Sequence, residues 1–132
     1  MGKTSRDKGK RGELELAHRL QEYGYEARRG QQYAGINGDA DVVGVPGLHI
    51  ECKRVETLNV EKALVQSEQD CGKHEIPVVM HRKNREEWKV TMRLDDFMEI
   101  WKGVTRYDTG RADDPDRRHD DDWDPGRAEE DL

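Results

Sequence analysis

Residues 38–53 read Gly-Asp-Ala-Asp-Val-Val-Gly-Val-Pro-Gly-Leu-His-Ile-Glu-Cys-Lys, and this stretch constrains the chain more than any other. Two apolar runs, 40–45 and 48–55, flank a Pro46-Gly47 turn, the pattern of a β-hairpin. Side chains alternate across a strand, so Glu51 and Lys53 share one face while Ile50 and Cys52 take the other. Folding back at Pro46-Gly47 brings Asp41 level with Glu51 and Lys53. Two carboxylates about 4 Å apart repel by roughly 4 kcal/mol at an effective dielectric near 20. A fold that brings them together holds a cation between them, and oxygen donors with room for water suit Mg²⁺ or Mn²⁺. A lysine beside them orients an attacking water or neutralises charge developing on phosphorus.

In a chain with 39% charged residues this spacing alone is weak. A third carboxylate upstream strengthens it. Residues 10–23 predict a helix ended by Gly24. Leu16, Ala17, Leu20 and Tyr23 fall on the helical face of Glu13, opposite Glu15, Arg19 and Glu22. Glu13 thus sits at the head of an apolar stripe, where a charge needs a partner; the alternative is a first-turn glutamate favoured by the helix dipole.

The remaining pattern gives the order αβββαββα. A strand at 25–29 precedes the hairpin. Asn59 caps a helix over 60–71 that turns Val60, Ala63, Leu64 and Ser67 to the core, with Gly72 ending it. A buried strand follows at 76–81, an alternating one at 88–92 and an amphipathic helix at 94–101. The helix at 60–71 is long enough for a crossover that makes part of the sheet parallel.

Charge is uneven along the chain. Residues 103–132 hold 11 Asp plus Glu against 5 Arg, while residues 1–102 are balanced at 18 against 18. The last segment therefore reads as an acidic, disordered tail. The first reads as a flexible basic arm, 1–11, with Lys3, Arg6, Lys8, Lys10 and Arg11, and Gly2, Gly9 and Gly12 loosening it. Between them, 12–102 forms one domain. Arg28 and Arg29 lead into a loop bearing Gln31, Gln32 and Tyr33, a composition that suits contact with a sugar-phosphate backbone. Cys52 and Cys71 match neither a disulfide scaffold nor a zinc pattern and read as buried thiols. The five histidines show no ligand spacing, although His49 shares the face of Glu51. No apolar run reaches membrane-spanning length and no signal peptide is evident, so a soluble, intracellular protein is expected.

Gly12-Glu13 on a first helix, Asp41 on a strand, Glu51-Cys52-Lys53 on the next and a glutamine-bearing helix after it resemble the PD-(D/E)XK nuclease superfamily. Within it, the short chain and basic arm resemble the archaeal Holliday-junction resolvases and small phage-encoded relatives. The likeness covers residues 8–102. It departs at Ala40, where the motif has proline, and Asp39 competes with Asp41; two β-branched residues directly after Asp41 favour the latter. The resemblance implies an α/β, restriction-endonuclease-like core (αβββαβ, a mixed central sheet flanked by helices). It implies that Glu13, Asp41, Glu51 and the Cys52 carbonyl surround Mg²⁺, with Mn²⁺ as a substitute, that Lys53 is catalytic, and that Gln66, with Gln69 as rival, joins them.

The expected function is a metal-dependent DNA endonuclease hydrolysing phosphodiesters, in branched DNA, acting as a homodimer in the cytoplasm of a prokaryotic or phage-infected cell. Phe97, Ile100 and Trp101 are the candidate interface residues. The alternatives are a restriction-, repair- or recombination-type nuclease, or a non-catalytic DNA-binding protein of the same fold.

Overall fold

The computed structural model describes residues 2–31 and 40–109, with the side chains of 2–5 and 107–109 left aside. The elements run α1 (Gly2–Gln21), β1 (Arg28–Arg29), β2 (Val42–Val43), β3 (Leu48–Arg54), α2 (Val60–Asp70), β4 (Ile76–Arg82), β5 (Lys89–Thr91) and α3 (Leu94–Thr109). This is the order expected from the sequence. The strands form one five-stranded sheet in the order β1-β2-β3-β4-β5. All neighbours are antiparallel except β3 and β4, which pair in parallel over seven residues, from Leu48 opposite Ile76 to Arg54 opposite Arg82. Helix α2 is the crossover that a parallel pair requires. The fold is α/β with a mixed central sheet, as expected.

Alternation along the strands divides the core between two helices. Ile50, Cys52, Val78 and Met80 pack with Leu16 and Ala17 of α1, joined by Ala27 and Val42. Val79, one residue out of phase, packs with Ala63 and Leu64 of α2. Asn59 caps α2 by accepting the Lys62 N–H at 3.0 Å. Ser67, fully buried, donates its hydroxyl proton between the carbonyls of His49 and Val78, tying α2 to both central strands.

Four expectations need correction. The first helix starts at Gly2 rather than Lys10, so residues 2–11, read as a flexible arm, are its first turns. Lysine and arginine are good helix formers, and the glycines there do not outweigh them. At the other end the helix stops at Gln21; Glu22, Tyr23 and Gly24 close it with i→i−3 bonds, Gly24 takes φ +92°, and Tyr23 is exposed rather than on the apolar stripe. The last helix continues through Thr109, beyond the start assigned to the acidic tail at residue 103. Cys71, read as buried, is only partly so, whereas Cys52 is buried; both are free thiols.

Gly12 is a packing residue. A Cβ there would stand 2.6 Å from Cβ of Arg54 on β3, an atom fixed to the backbone that cannot swing away. Gly12→Ala is therefore expected to lower stability by about 1–3 kcal/mol, the usual penalty of overpacking, as read by urea unfolding. An unchanged midpoint would contradict this close approach.

Among the described residues, 97–109 of α3 belong to a second unit. Phe97 and Trp101, one turn apart, stack with ring centroids 6.2 Å apart.

Candidate active site

Register sets the acidic pair. Val42 lies opposite Ile50 across the antiparallel β2–β3 ladder, so Asp41 is level with Glu51. The connecting turn has Pro46 followed by Gly47 at φ +87°, closed by the Leu48 N–H to the Val45 carbonyl at 3.3 Å. That is a type II turn, in which proline presets the first central residue and glycine takes the left-handed second.

Asp41 is 8% exposed and Glu51 is 5% exposed. Oδ2 of Asp41 accepts the buried Cys52 N–H at 2.9 Å, which fixes the aspartate to the strand that carries Glu51. Burial, the Asp41 charge and a hydrogen bond to Asp41 push the Glu51 carboxyl up to about 8. Near neutrality Glu51 therefore keeps its proton beside Asp41. Nζ of Lys53 stands 3.8 Å from Glu51 Oε1. Burial and the surrounding carboxylates also push the Cys52 thiol far up, so it stays protonated and is no nucleophile.

Glu13 projects from α1 into the same cavity. Nε of Arg29 donates to its Oε2 at 2.8 Å. Burial outweighs that bond and raises the Glu13 carboxyl, and the charge of Asp41 raises it further. The cavity is about 380 Å³ and is walled by Glu13, Asp41, Glu51, Cys52, Lys53 and Gln66, with Lys8 and Gly9 of α1 at its edge. Every residue expected at the acidic centre therefore lines one hollow. Gln69, the rival of Gln66, lines a different one of about 530 Å³, beside His49, Cys71 and Glu75. His49 is buried there with Nδ1 3.6 Å from Glu75 Oε1, away from the acidic pair's hollow.

Of the residues expected to meet nucleic acid, Lys8 borders the cavity, and Arg6, Lys10, Arg11, Arg28 and Gln31 are exposed. Arg29 instead neutralises Glu13. The side chains of Lys3, Gln32 and Tyr33, and the rival carboxylate Asp39, lie outside the described residues. Glu15 was assigned only to the solvated face of α1. It accepts from Arg54 at 3.3 Å and also binds Arg82, joining α1 to β3 and β4 beside the site. Its i+2 offset from Glu13 gave no helical-face signal for that role.

Residues 4–113 match the family described as "Phage putative PDDEXK endonuclease". The chain belongs to this endonuclease family. Membership makes it a nuclease of the PD-(D/E)XK superfamily, in accord with the sheet order and the acidic centre. Among solved structures, the chain is similar to a Holliday junction resolvase, Hjc, from the archaeon Archaeoglobus fulgidus. The two share 28% identity, with 64% of this chain and 72% of that chain covered and a TM-score of 0.46. Comparison with curated proteins gave no match. Among the described residues, no helix is long and apolar enough to cross a membrane.

Proposed function

We propose that this family member is a Mg²⁺-dependent DNA endonuclease that hydrolyses phosphodiesters in branched DNA such as a four-way junction, as a homodimer. The observation that carries the catalytic part is the buried Asp41–Glu51 pair, level across two strands and sharing one cavity with Glu13, Lys53 and Gln66. A buried Glu51 carboxyl that keeps its proton beside the buried Asp41 is a donor set a cation satisfies better. Among the described residues, no three acidic, histidine or cysteine side chains cluster tightly enough to cage an ion unaided. Mg²⁺ keeps several waters and takes only one or two carboxylates, which the Asp41–Glu51 pair can supply.

Asp41, Glu51 and the Cys52 carbonyl would hold the ion, and Glu13, engaged by Arg29, would reach it through water. Bound there, a divalent cation supplies Lewis-acid stabilisation of charge developing on the phosphate. Lys53 orients the attacking water and offsets charge on the phosphoryl oxygens, since its ammonium already leans on Glu51. Gln66 faces the same space from α2 and positions water or phosphate by hydrogen bonding.

The branched substrate rests on the resemblance of the short chain and its basic first segment to junction resolvases. Symmetric cutting of a junction needs two sites, and one chain supplies one, so two-fold pairing follows. Leu94, Phe97, Ile100 and Trp101 of α3 are all exposed and offer an apolar surface for it. Sedimentation is expected to give a dimer that Trp101→Asp weakens; a monomer both free and on a junction would contradict the junction reading. The functional test compares cleavage of a four-way junction, a flap, linear duplex and single strand, with Mg²⁺ and with EDTA. The junction should be cut preferentially and only with the ion; equal cutting of linear duplex would remove the branched specificity.

A further inference from the structure

The cavity of the acidic pair adjoins two further hollows through shared lining residues. It shares Lys53, Val55 and Gln66 with a second hollow, of about 270 Å³, lined by the β3–α2 connection and the first turn of α2. That hollow shares Thr57 and Leu58 with a third, of about 380 Å³, which reaches the β4–β5 turn. Neighbouring hollows thus share lining residues, which outlines a channel from the acidic centre, past residues 55–59, to Lys83.

Beyond the acidic cluster the channel is cationic. Five side chains, Lys53, Lys62, Arg82, Lys83 and Lys89, face two carboxylates, Glu56 and Glu87. Several of these cations already have structural work. Arg82 is held by Glu15, Lys89 by Glu86 at 3.0 Å, and Lys53 leans on Glu51. Of the two acids, Glu56 is occupied, its carboxylate accepting the Asn84 N–H at 2.8 Å. His81 adds no charge, since burial holds its imidazole below the ordinary value. Lys62 and Lys83 remain, exposed, one in the second hollow and one in the third, with no ion pair to any described residue. Lys83 also feels the carboxylate of Glu86, without a direct ion pair; exposed lysines spaced along a channel that opens on a phosphodiester-cleaving centre complement a polyanion with regularly repeated charges.

We propose that this channel is the track of the DNA backbone leaving the active site, with Lys62 and Lys83 as its phosphate contacts. The proposal rests on the nuclease reading and adds to it the course of the strand beyond the scissile phosphate. The acidic pair then sits where one end of the track meets the cations of α1, so that the backbone is held on both sides of the cut.

The test is the salt dependence of binding of a fluorescein-labelled four-way junction, measured by anisotropy in EDTA. Lys62→Gln and Lys83→Gln should each flatten the slope of log K against log [salt] by about 0.9, and the double variant by about 1.8. Lys73→Gln, an exposed lysine in the α2–β4 turn outside the channel, should leave it unchanged. Slopes for both channel variants equal to that of Lys73→Gln would overturn the track. The same proteins are assayed for cleavage in Mg²⁺. Cleavage by the wild type together with unaltered slopes removes the track and leaves the nuclease reading standing. A wild type that binds but cuts nothing removes the nuclease reading, while the slopes still decide the track.

Discussion

Asp41→Ala is expected to reduce strand cleavage by roughly 10³-fold or more, equivalent to about 4 kcal/mol of transition-state stabilisation, while DNA binding persists or tightens. Binding survives because the lost group is a negative charge facing phosphate. The variant should also be less stable by about 1–3 kcal/mol, because the buried Cys52 N–H loses its acceptor, Asp41 Oδ2. Asp41→Asn separates the two effects. Its amide oxygen still accepts from Cys52, so stability should largely return while cleavage does not. Recovery of cleavage in Asp41→Asn would mean that the aspartate is structural.

Glu51→Gln should abolish cleavage yet stabilise the ion-free protein. Glu51 has a folded-state value near 8 against an ordinary 4.5, so between those values the folded state binds more protons than the unfolded one. The contribution of Glu51 to wild-type stability must then fall as pH rises from about 4.5 through 8, and level off above. Glutamine carries no such proton and donates an N–H to Asp41 in its place. The variant should therefore gain on the order of 2–4 kcal/mol over the wild type at pH 8, and the gain should vanish below pH 4.5. Urea unfolding in EDTA across pH 4–9 reads both the size and the sign. Added Mg²⁺ should raise the melting temperature of the wild type more than that of Glu51→Gln, because binding to the native state alone stabilises it. A pH-independent difference between the two proteins would contradict the raised Glu51 carboxyl.

Much of this centre was legible in the sequence because strand geometry is periodic. Alternation separated Glu51 and Lys53 from Ile50 and Cys52, and the Pro46-Gly47 turn fixed the register that sets Asp41 against Glu51. Glu13 stood out as a charge on an apolar helical face, and the cavity that it shares with Asp41 follows from α1 packing on the sheet through Leu16 and Ala17. What periodicity could not show was long-range. Gly12 was read as a source of flexibility because its close approach to Arg54 involves a strand some forty residues away. The partnership of Arg29 with Glu13, and of Glu15 with Arg54 and Arg82, likewise depends on tertiary placement. Gln66 and Gln69 were indistinguishable by spacing; the cavities they line separate them. Helix ends were misplaced where exposed turns extend a helix beyond its apolar stripe, at residues 6–9 and 102–106.

The most direct measurement of the central claim is the single-turnover rate at which the full chain cuts its preferred DNA in Mg²⁺, set beside Lys53→Met. Lys53 contacts the acidic pair without being a candidate ligand, and methionine keeps most of its stem. The account predicts hydrolysis by the wild type, none in EDTA, and a loss of roughly 10²–10³-fold in Lys53→Met with DNA affinity nearly kept. Lys53→Met cutting at the wild-type rate, or wild-type cutting that persists in EDTA, would contradict it.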